Sequence, residues 1–195
     1  MNANVFVVSI AMSAIGTLGA SARGGVVFSD NFNAENAGSG GINYVGLGNW
    51  TIPRGSIDLI GNGFFDFLPG NGLYLDLDGT TDRAALLTSN PINLDAGEYL
   101  LEFRLAGSQR GDSNTVHVSF MGGTLDLTIA SSEPFATYSI PVSLGNAGSG
   151  SIVFDHDSGD QFGLLLDDVT VRTVPGPGTA LMGLGLVVMG ARRRR

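Results

Sequence analysis

The sequence predicts an all-β protein whose central region folds as an antiparallel β-sandwich of the jelly-roll type. Between residues 25 and 173, short segments of alternating apolar and polar residues recur about every 8 to 14 residues. Glycine, asparagine, aspartate and proline lie between these segments, and the chain contains 30 glycines. No part of this region keeps a helical periodicity for ten residues. We therefore expect about nine to eleven strands joined by tight turns.

Strict alternation assigns the side chains of each predicted strand to one of two faces. In residues 73–78 the three leucines share one face, and Tyr74, Asp76 and Asp78 share the other. We expect the leucines to lie in the core and the two acids to point to solvent. The same alternation directs another set into the core: Tyr99, Leu101, Phe103, Leu105, Val116, Val118, Phe120, Leu125, Leu127, Ile129, Tyr138, Ile140, Val142, Ile152, Phe154, Val169 and Val171.

The first 22 residues predict a secretory signal peptide. Residues 5–20 form an uncharged apolar run, which is followed by Ser21, Ala22 and the charged Arg23. Ala20 and Ala22 are small side chains at the two positions that a signal peptidase reads, so we expect cleavage after Ala22. The alternative is a buried first strand or helix, although a core helix normally carries a polar stripe that this run lacks.

The last 22 residues consist of a proline-glycine motif, an apolar stretch and a basic end. The 14 residues of the stretch, 178–191, make a helix of about 21 Å, whereas a full span needs roughly 20 residues. The arginines would stay on the cytoplasmic side. We expect a short transmembrane helix that anchors the chain transiently in the inner membrane. The motif comprises Val174, Pro175, Gly176 and Pro177, and the basic end comprises Arg192, Arg193, Arg194 and Arg195.

This three-part tail resembles the PEP-CTERM sorting signal of Gram-negative bacteria that make extracellular polysaccharide. In those proteins a Val-Pro-Glu-Pro motif, an apolar helix and an arginine cluster are recognised by exosortase, a membrane protease-transpeptidase. In this chain Gly176 stands where the family has glutamate. The resemblance implies that an exosortase releases the protein to the cell surface or extracellular matrix. A generic tail anchor is the alternative.

Four segments of the central region resemble, in their order, secreted proteins with a galactose-binding-like jelly roll. The resemblance implies that residues 23–173 form one such domain, with a structural Ca²⁺ where the first and last strands meet. Calcium takes six to eight hard oxygen ligands. The candidate ligands are Asp30 or Glu35 near the start, and Asp167 or Asp168 near the end. The four segments are residues 55–63, 70–79, 105–109 and 164–169.

Asp167 is the most informative of these acids. It is in phase with Val169 and Val171, so a regular strand would point its carboxylate at the core. A buried carboxylate needs a cation or backbone donors. The alternative is a bulge within residues 164–166 that turns Asp167 to solvent. The sequence leaves both interpretations open.

Composition and motifs argue against two classes of function. Residues 23–174 carry six arginines against 18 acids, a net charge of −12, whereas nucleic-acid binding needs basic surface. The chain has no cysteine, no Gly-x-Ser-x-Gly motif, and only His117 and His156 as bases, which predicts neither nucleophilic catalysis nor a zinc site. Asp76 and Asp78 are paired acids on one strand, but catalytic pairs converge in a cleft. We therefore predict no catalytic residue.

Aromatic residues are the remaining candidates for ligand binding. Trp50, Tyr44 and residues 63–69 would offer rings to a sugar, whereas the alternative for most of them is packing in the core. Trp50 is the leading candidate. The sequence therefore predicts a non-enzymatic cell-surface or extracellular-matrix protein that binds extracellular polysaccharide. The alternatives are a structural surface protein without a ligand and a glycan-active hydrolase.

Overall fold

The computed structural model of this protein describes residues 24–80 and 83–175. These residues form fifteen strands and one short 3-10 helix, Glu35–Gly38. No helix among them is long and apolar enough to span a membrane. The predicted signal peptide and the predicted sorting tail from Gly176 onward lie outside the described residues, so both stay predictions.

The strands are short and outnumber the predicted nine to eleven. Much of the excess comes from strands of two or three residues, which are too short for alternation to reveal. In chain order the strands are β1 Val26–Asp30, β2 Gly41–Tyr44, β3 Gly46–Leu47, β4 Trp50–Arg54, β5 Ile57–Gly61, β6 Leu73–Asp76, β7 Leu86–Ser89, β8 Ile92–Leu94, β9 Gly97–Ala106, β10 Ser113–Phe120, β11 Gly123–Ala130, β12 Ala136–Leu144, β13 Gly148–Gly150, β14 Val153–Asp157 and β15 Leu165–Thr173.

Two antiparallel sheets pack face to face. The seven-stranded sheet has the order β12-β9-β15-β6-β5-β2, and β1 pairs with the second half of β15. The six-stranded sheet has the order β11-β10-β14-β7-β4-β3, and β8 and β13 form a separate two-stranded ribbon. The prediction of an all-β antiparallel sandwich is confirmed.

The main core lies between the two sheets and follows the alternation. The leucines of residues 73–78 and every other residue that the pattern directed inward either lie in this core or pack against it. Full burial of one such side chain contributes about 1.5–3 kcal/mol. Because the chain has no cysteine, this burial replaces the disulfides that many exported domains use.

The outer face of the seven-stranded sheet is also covered. The covering segment, residues 62–72, connects β5 to β6 and folds back over both strands. The buried Tyr74 hydroxyl fastens it, accepting a hydrogen bond from the Leu68 backbone N–H at 2.9 Å and donating one to Asp66 Oδ1 at 3.1 Å. A second buried cluster forms beneath, consisting of Ile60, Tyr74, Ala106 and Leu165 with Phe67, Leu68 and Phe135 packed on it.

Candidate functional site

A cleft of about 180 Å³ opens on the outer face of the seven-stranded sheet, next to the covering segment. Strands β5 and β6 supply its floor, and four loops that are distant in sequence supply its walls. The floor consists of Asp58, Ile60 and Asp76, and the walls consist of Phe65, Phe67, Thr80, Arg110, Gln161 and Phe162.

The two acids of the floor lie directly opposite each other. Asp58 of β5 pairs with Asp76 of β6, and alternation places both on the outer face. Directly opposite residues have Cβ atoms about 4.5–5.5 Å apart. Nevertheless Asp58 is only 8% exposed and Asp76 only 1%. The prediction that Asp76 and Asp78 point to solvent is therefore wrong, because loops from elsewhere in the chain bury both carboxylates.

The loop that follows β14 lies close against Asp76 and Asp78 at Gly163. A Cβ atom at Gly163 would collide with the Asp76 carboxylate and with the backbone nitrogen of Asp78. The absence of a side chain therefore permits the close approach of loop and sheet. The approach also places Gln161 and Phe162, from the same loop, at the wall of the cleft.

Arg110 joins the loop after β9 to the floor. Its Nη2 donates to Asp76 Oδ2 at 2.5 Å, its Nη1 to the Gln161 carbonyl at 2.9 Å, and its Nε to the Ser108 carbonyl at 3.3 Å. Burial raises the pKa of Asp76 above its ordinary value, while the Arg110 guanidinium and the Asp78 backbone N–H lower it. The ion pair thus offsets only part of the desolvation of the carboxyl group.

Asp58 is held by neutral donors instead. Its Oδ1 accepts from the Asn43 backbone N–H at 2.7 Å, and its Oδ2 accepts from the Thr80 hydroxyl at 2.9 Å. Among the described residues Asp58 forms no ion pair. Because each carboxylate oxygen has two lone pairs, both oxygens keep room for a further donor.

Aromatic rings border the cleft on two sides. The Cζ atom of the Arg110 guanidinium lies over the rings of Phe67 and Phe162, 4.9 Å from each centroid. Phe162 is still 38% exposed, and Phe65 is 60% exposed. Phe65 and Gln161 have φ angles of +44° and +77°, a strained conformation for residues other than glycine that is often found at functional sites. Ring faces beside carboxylates suit a ligand that has both C–H faces and hydroxyl groups.

A larger and more open cavity, of about 350 Å³, lies beside β10 and β14 of the six-stranded sheet. Three of the titratable side chains that line it are in ion pairs: Arg54 with Asp155, and His117 Nδ1 with Asp126 Oδ1 at 2.8 Å. His117 thus lies on the polar face, as its alternation predicted. No phenylalanine, tyrosine or tryptophan lines this cavity in the described part of the chain, so it lacks the ring faces of the cleft.

The structure contradicts the prediction that Trp50 stacks on a ligand. Trp50 is 1% exposed and packs between Phe28, Phe32 and Phe154 in the main core. Its indole N–H donates to Asp30 Oδ2 at 2.9 Å. The single tryptophan is therefore a core residue, and no sugar reaches it. The neighbours of Trp50, Asn49 and Thr51, are polar, so the sequence did not indicate that Trp50 is buried. In β4 only one side of the strand is buried, and Trp50 lies on that side.

The acids proposed for calcium near the start of the domain bind protein donors. Asp30 accepts from the Phe32 backbone N–H, from Asn49 and from the Trp50 indole. Both carboxylate oxygens of Glu35 accept from the Gly48 backbone N–H. Among the residues that the structure describes, no group of three or more acidic or histidine side chains is placed to hold a metal ion.

Near the end of the domain, a bulge between Asp167 and Thr170 changes the phase of β15. Asp167 therefore lies opposite Arg104 on the outer face rather than in the core, so the expected bulge exists but follows Asp167. The carboxylate is nevertheless only 2% exposed. Its oxygens accept from the Asp168 backbone N–H at 2.8 Å and from Arg104 at 3.4 Å.

Arg104 also donates to Asp168 at 2.9 Å, so one guanidinium contacts both acids proposed for calcium at this end. Burial, together with the Asp168 carboxylate, raises the pKa of Asp167 to about 7. Asp30, Glu35, Asp167 and Asp168 thus do not present a shared set of free oxygens, and these residues do not fit a Ca²⁺ ion.

Sequence reasoning found part of the cleft and missed the rest. Residues 63–69 were a candidate sugar platform, and they supply Phe65 and Phe67 to the cleft. Asp58 alternates with Ile57 and Leu59, a signal that places it outside the core. Nothing in the sequence brings Arg110 or Phe162 to this place, because both lie on loops whose positions only the fold defines.

Fold and cleft together define an all-β sandwich with an acidic cleft that is bordered by aromatic rings. No protein-family model matches the chain, and no curated protein matches it in sequence. Among solved structures it is similar to the K3 cleaved adhesin domain of Lys-gingipain from Porphyromonas gingivalis, at 17% identity over 76% of this chain and 100% of that chain, with a TM-score of 0.49.

The chain is also similar to the CBM22-1 xylan-binding domain of Xyn10C from Paenibacillus barcinonensis, at 12% identity over 80% of this chain and 99% of that chain, with a TM-score of 0.45. A third similar structure is a carbohydrate-binding module of lichenase 5A from Cellvibrio mixtus. It shares 14% identity over 76% of this chain and 98% of that chain, with a TM-score of 0.35.

Proposed function

We propose that this protein is a non-catalytic carbohydrate-binding protein that holds its ligand in the cleft on the seven-stranded sheet. One observation carries the proposal. Two exposed phenyl rings, those of Phe65 and Phe162, border a cleft whose floor contains the carboxylates of Asp58 and Asp76.

The chemistry of a sugar matches both parts of this site. Sugar hydroxyls donate hydrogen bonds, and carboxylates are strong acceptors that take them in a directed geometry. The C–H faces of a sugar ring are apolar and pack on phenyl rings. Pockets for drug-sized ligands measure roughly 300–1,000 Å³, so a cleft of about 180 Å³ fits a single ring better than a long chain segment.

The bonding of the two acids favours binding over hydrolysis. A glycosidase needs one carboxyl group free to donate a proton and a second free to attack or to activate water. Here Asp76 is committed to Arg110 and to the Asp78 backbone N–H, so only Asp58, whose oxygens accept one donor each, keeps room for a further partner. A glycan-active hydrolase is therefore the second candidate, favoured only by the facing position of the two acids.

The cellular part of the proposal rests on the sequence. The apolar first 22 residues support export and cleavage by signal peptidase. The resemblance of residues 174–195 to a PEP-CTERM signal supports a transient stay in the inner membrane and processing by an exosortase. The ligand would then be extracellular polysaccharide, met at the cell surface or in the extracellular matrix.

Affinity electrophoresis of the full chain in gels that contain neutral polysaccharides tests the binding proposal. Retardation by at least one polysaccharide is expected, and Phe65→Ala should weaken the apparent affinity at least about tenfold, since a stacked ring contributes on the order of 1–3 kcal/mol. Val45→Ala, which shortens an exposed apolar side chain outside the cleft, is the matched control. Binding to no polysaccharide would leave a structural surface protein without a ligand.

A further inference from the structure

The charged groups of the cleft differ in what they leave available to a ligand. Arginine recognises a carboxylate through two parallel N–H bonds from one edge of its guanidinium. In Arg110 three of the five N–H groups are already used: Nη2 donates to Asp76, and Nη1 donates to the Gln161 carbonyl. The Nε donates to the Ser108 carbonyl.

Two phenyl rings also lie close to the same guanidinium, because its Cζ atom is 4.9 Å from the ring centroids of both Phe67 and Phe162. Arg110 therefore acts as a clamp between the loops and the floor, and most of its donors are engaged by the protein. An anionic ligand that entered the cleft would have to compete with these partners for Arg110.

The negative charge of Asp58, in contrast, is available to a ligand. It lies on the floor of the cleft, it has no ion-pair partner among the described residues, and its two bound donors are neutral groups of Asn43 and Thr80. An incoming carboxylate or sulfate would approach this negative charge with little water between them, where like charges repel strongly. An incoming hydroxyl group would instead find a charged acceptor.

From this geometry we infer that the cleft discriminates by charge: it takes an uncharged sugar that donates hydroxyl groups to Asp58, and it rejects uronic acids and sulfated sugars. The inference rests on the proposed carbohydrate-binding function and names the ligand class of the same cleft. Asp58 is the residue that determines the specificity. Arg110 holds the rings and Asp76 in place and does not itself bind the ligand.

Matched sugar pairs that differ by one carboxylate test this inference. The full chain is titrated by calorimetry at pH 7 with galactose and galacturonate, glucose and glucuronate, and xylose. At least one neutral sugar should bind about tenfold or more tightly than its uronate. Asp58→Asn keeps the shape and removes the charge, so the preference of this variant should shrink to about threefold or less. Asp95→Asn, which removes an exposed charge outside the cleft, should leave the preference unchanged.

Each outcome has a defined meaning. A uronate that binds as tightly as its neutral partner would overturn the inference. A preference for the neutral sugar that Asp58→Asn does not reduce would also overturn it. Neither outcome contradicts the proposed function. The first of these outcomes is measured on the unaltered chain, so it does not depend on the folding of a variant. If no sugar of the panel binds, the inference fails, whereas the proposed function is decided separately by retardation in polysaccharide gels.

Discussion

Two arginines on the outer face of the seven-stranded sheet have similar surroundings and different roles. The Arg104 cluster comprises Arg104, Asn71, Phe135, Asp167 and Asp168. The Arg110 cluster comprises Arg110, Asp76, Gln161, Phe67 and Phe162. Each arginine pairs with a buried aspartate, and each guanidinium lies over at least one phenyl ring. Both clusters hold down the covering segment, one through Asn71 and the other through Phe67.

The difference lies in what surrounds each cluster. Arg104 is part of β9, lies opposite Asp167 in the sheet, and divides its donors between two acids and Asn71. Arg110 lies on a loop, and its cluster borders a cleft. This cleft contains the exposed ring of Phe65 and Asp58, which forms no ion pair among the described residues. The same residue types thus make a structural clamp in one place and the wall of a candidate binding site in the other.

The largest expected effect comes from removing the arginine of each cluster in turn. Arg110→Met leaves Asp76 buried without its cation and should lower the free energy of unfolding by about 3–5 kcal/mol. Arg104→Met should cost less, about 1–2 kcal/mol, because Asp167 keeps its bond from the Asp168 backbone N–H and its contact with Arg104 is longer, at 3.4 Å. Urea denaturation of both variants measures the difference.

A second substitution checks the cause of the first effect. Adding Asp76→Asn to the Arg110→Met variant removes the uncompensated charge, so most of the lost stability should return. Equal losses for Arg104→Met and Arg110→Met, or no recovery in the double variant, would mean that the two clusters do not differ in the way their geometry indicates.

The next effect concerns the anchor of the covering segment, which both clusters share. Tyr74→Phe removes one buried hydroxyl with two hydrogen bonds and should lower the free energy of unfolding by about 1–3 kcal/mol. Because the segment carries Phe65 and Phe67, polysaccharide affinity should fall as well. Unfolding and affinity electrophoresis are measured on the same variant. Lost stability with full affinity would show that the cleft does not depend on this anchor.

A further effect is a change in pH dependence at the Arg104 cluster. The pKa of Asp167 is raised to about 7 in the fold, against about 3.9 in an unfolded chain. The folded state therefore favours the protonated carboxyl group, and this stabilising contribution is complete below about pH 4 and is lost as the pH rises through 7. Asp167→Asn does not titrate, so its unfolding free energy should fall less than that of the unaltered protein between pH 4 and 7.

Denaturation curves at several pH values check this difference, with the exposed Asp95→Asn as the control. The control should follow the unaltered protein across the whole range. If the profile of Asp167→Asn also runs parallel to the unaltered protein, the carboxyl group of Asp167 has an ordinary pKa and the Arg104 cluster neutralises it fully.

The sequence by itself determined the fold class and the direction of most side chains. Alternation placed Leu101, Phe103 and Val118 in the core correctly, because a strand has a fixed period of two residues. It also separated Tyr74 and Asp76 from the leucines between them. These predictions depend only on local geometry, and local geometry is present in the sequence.

Only the tertiary structure decided what covers each face. Alternation reports that Asp76 and Asp78 face away from the core, but the loops that bury them follow β9 and β14, far away in the sequence. A bulge of one residue reversed the orientation of Asp167, and the packing of β1 and β14 placed Trp50 in the interior. Burial of an outward face depends on contacts between residues far apart in the chain, and a local pattern carries no information about those contacts.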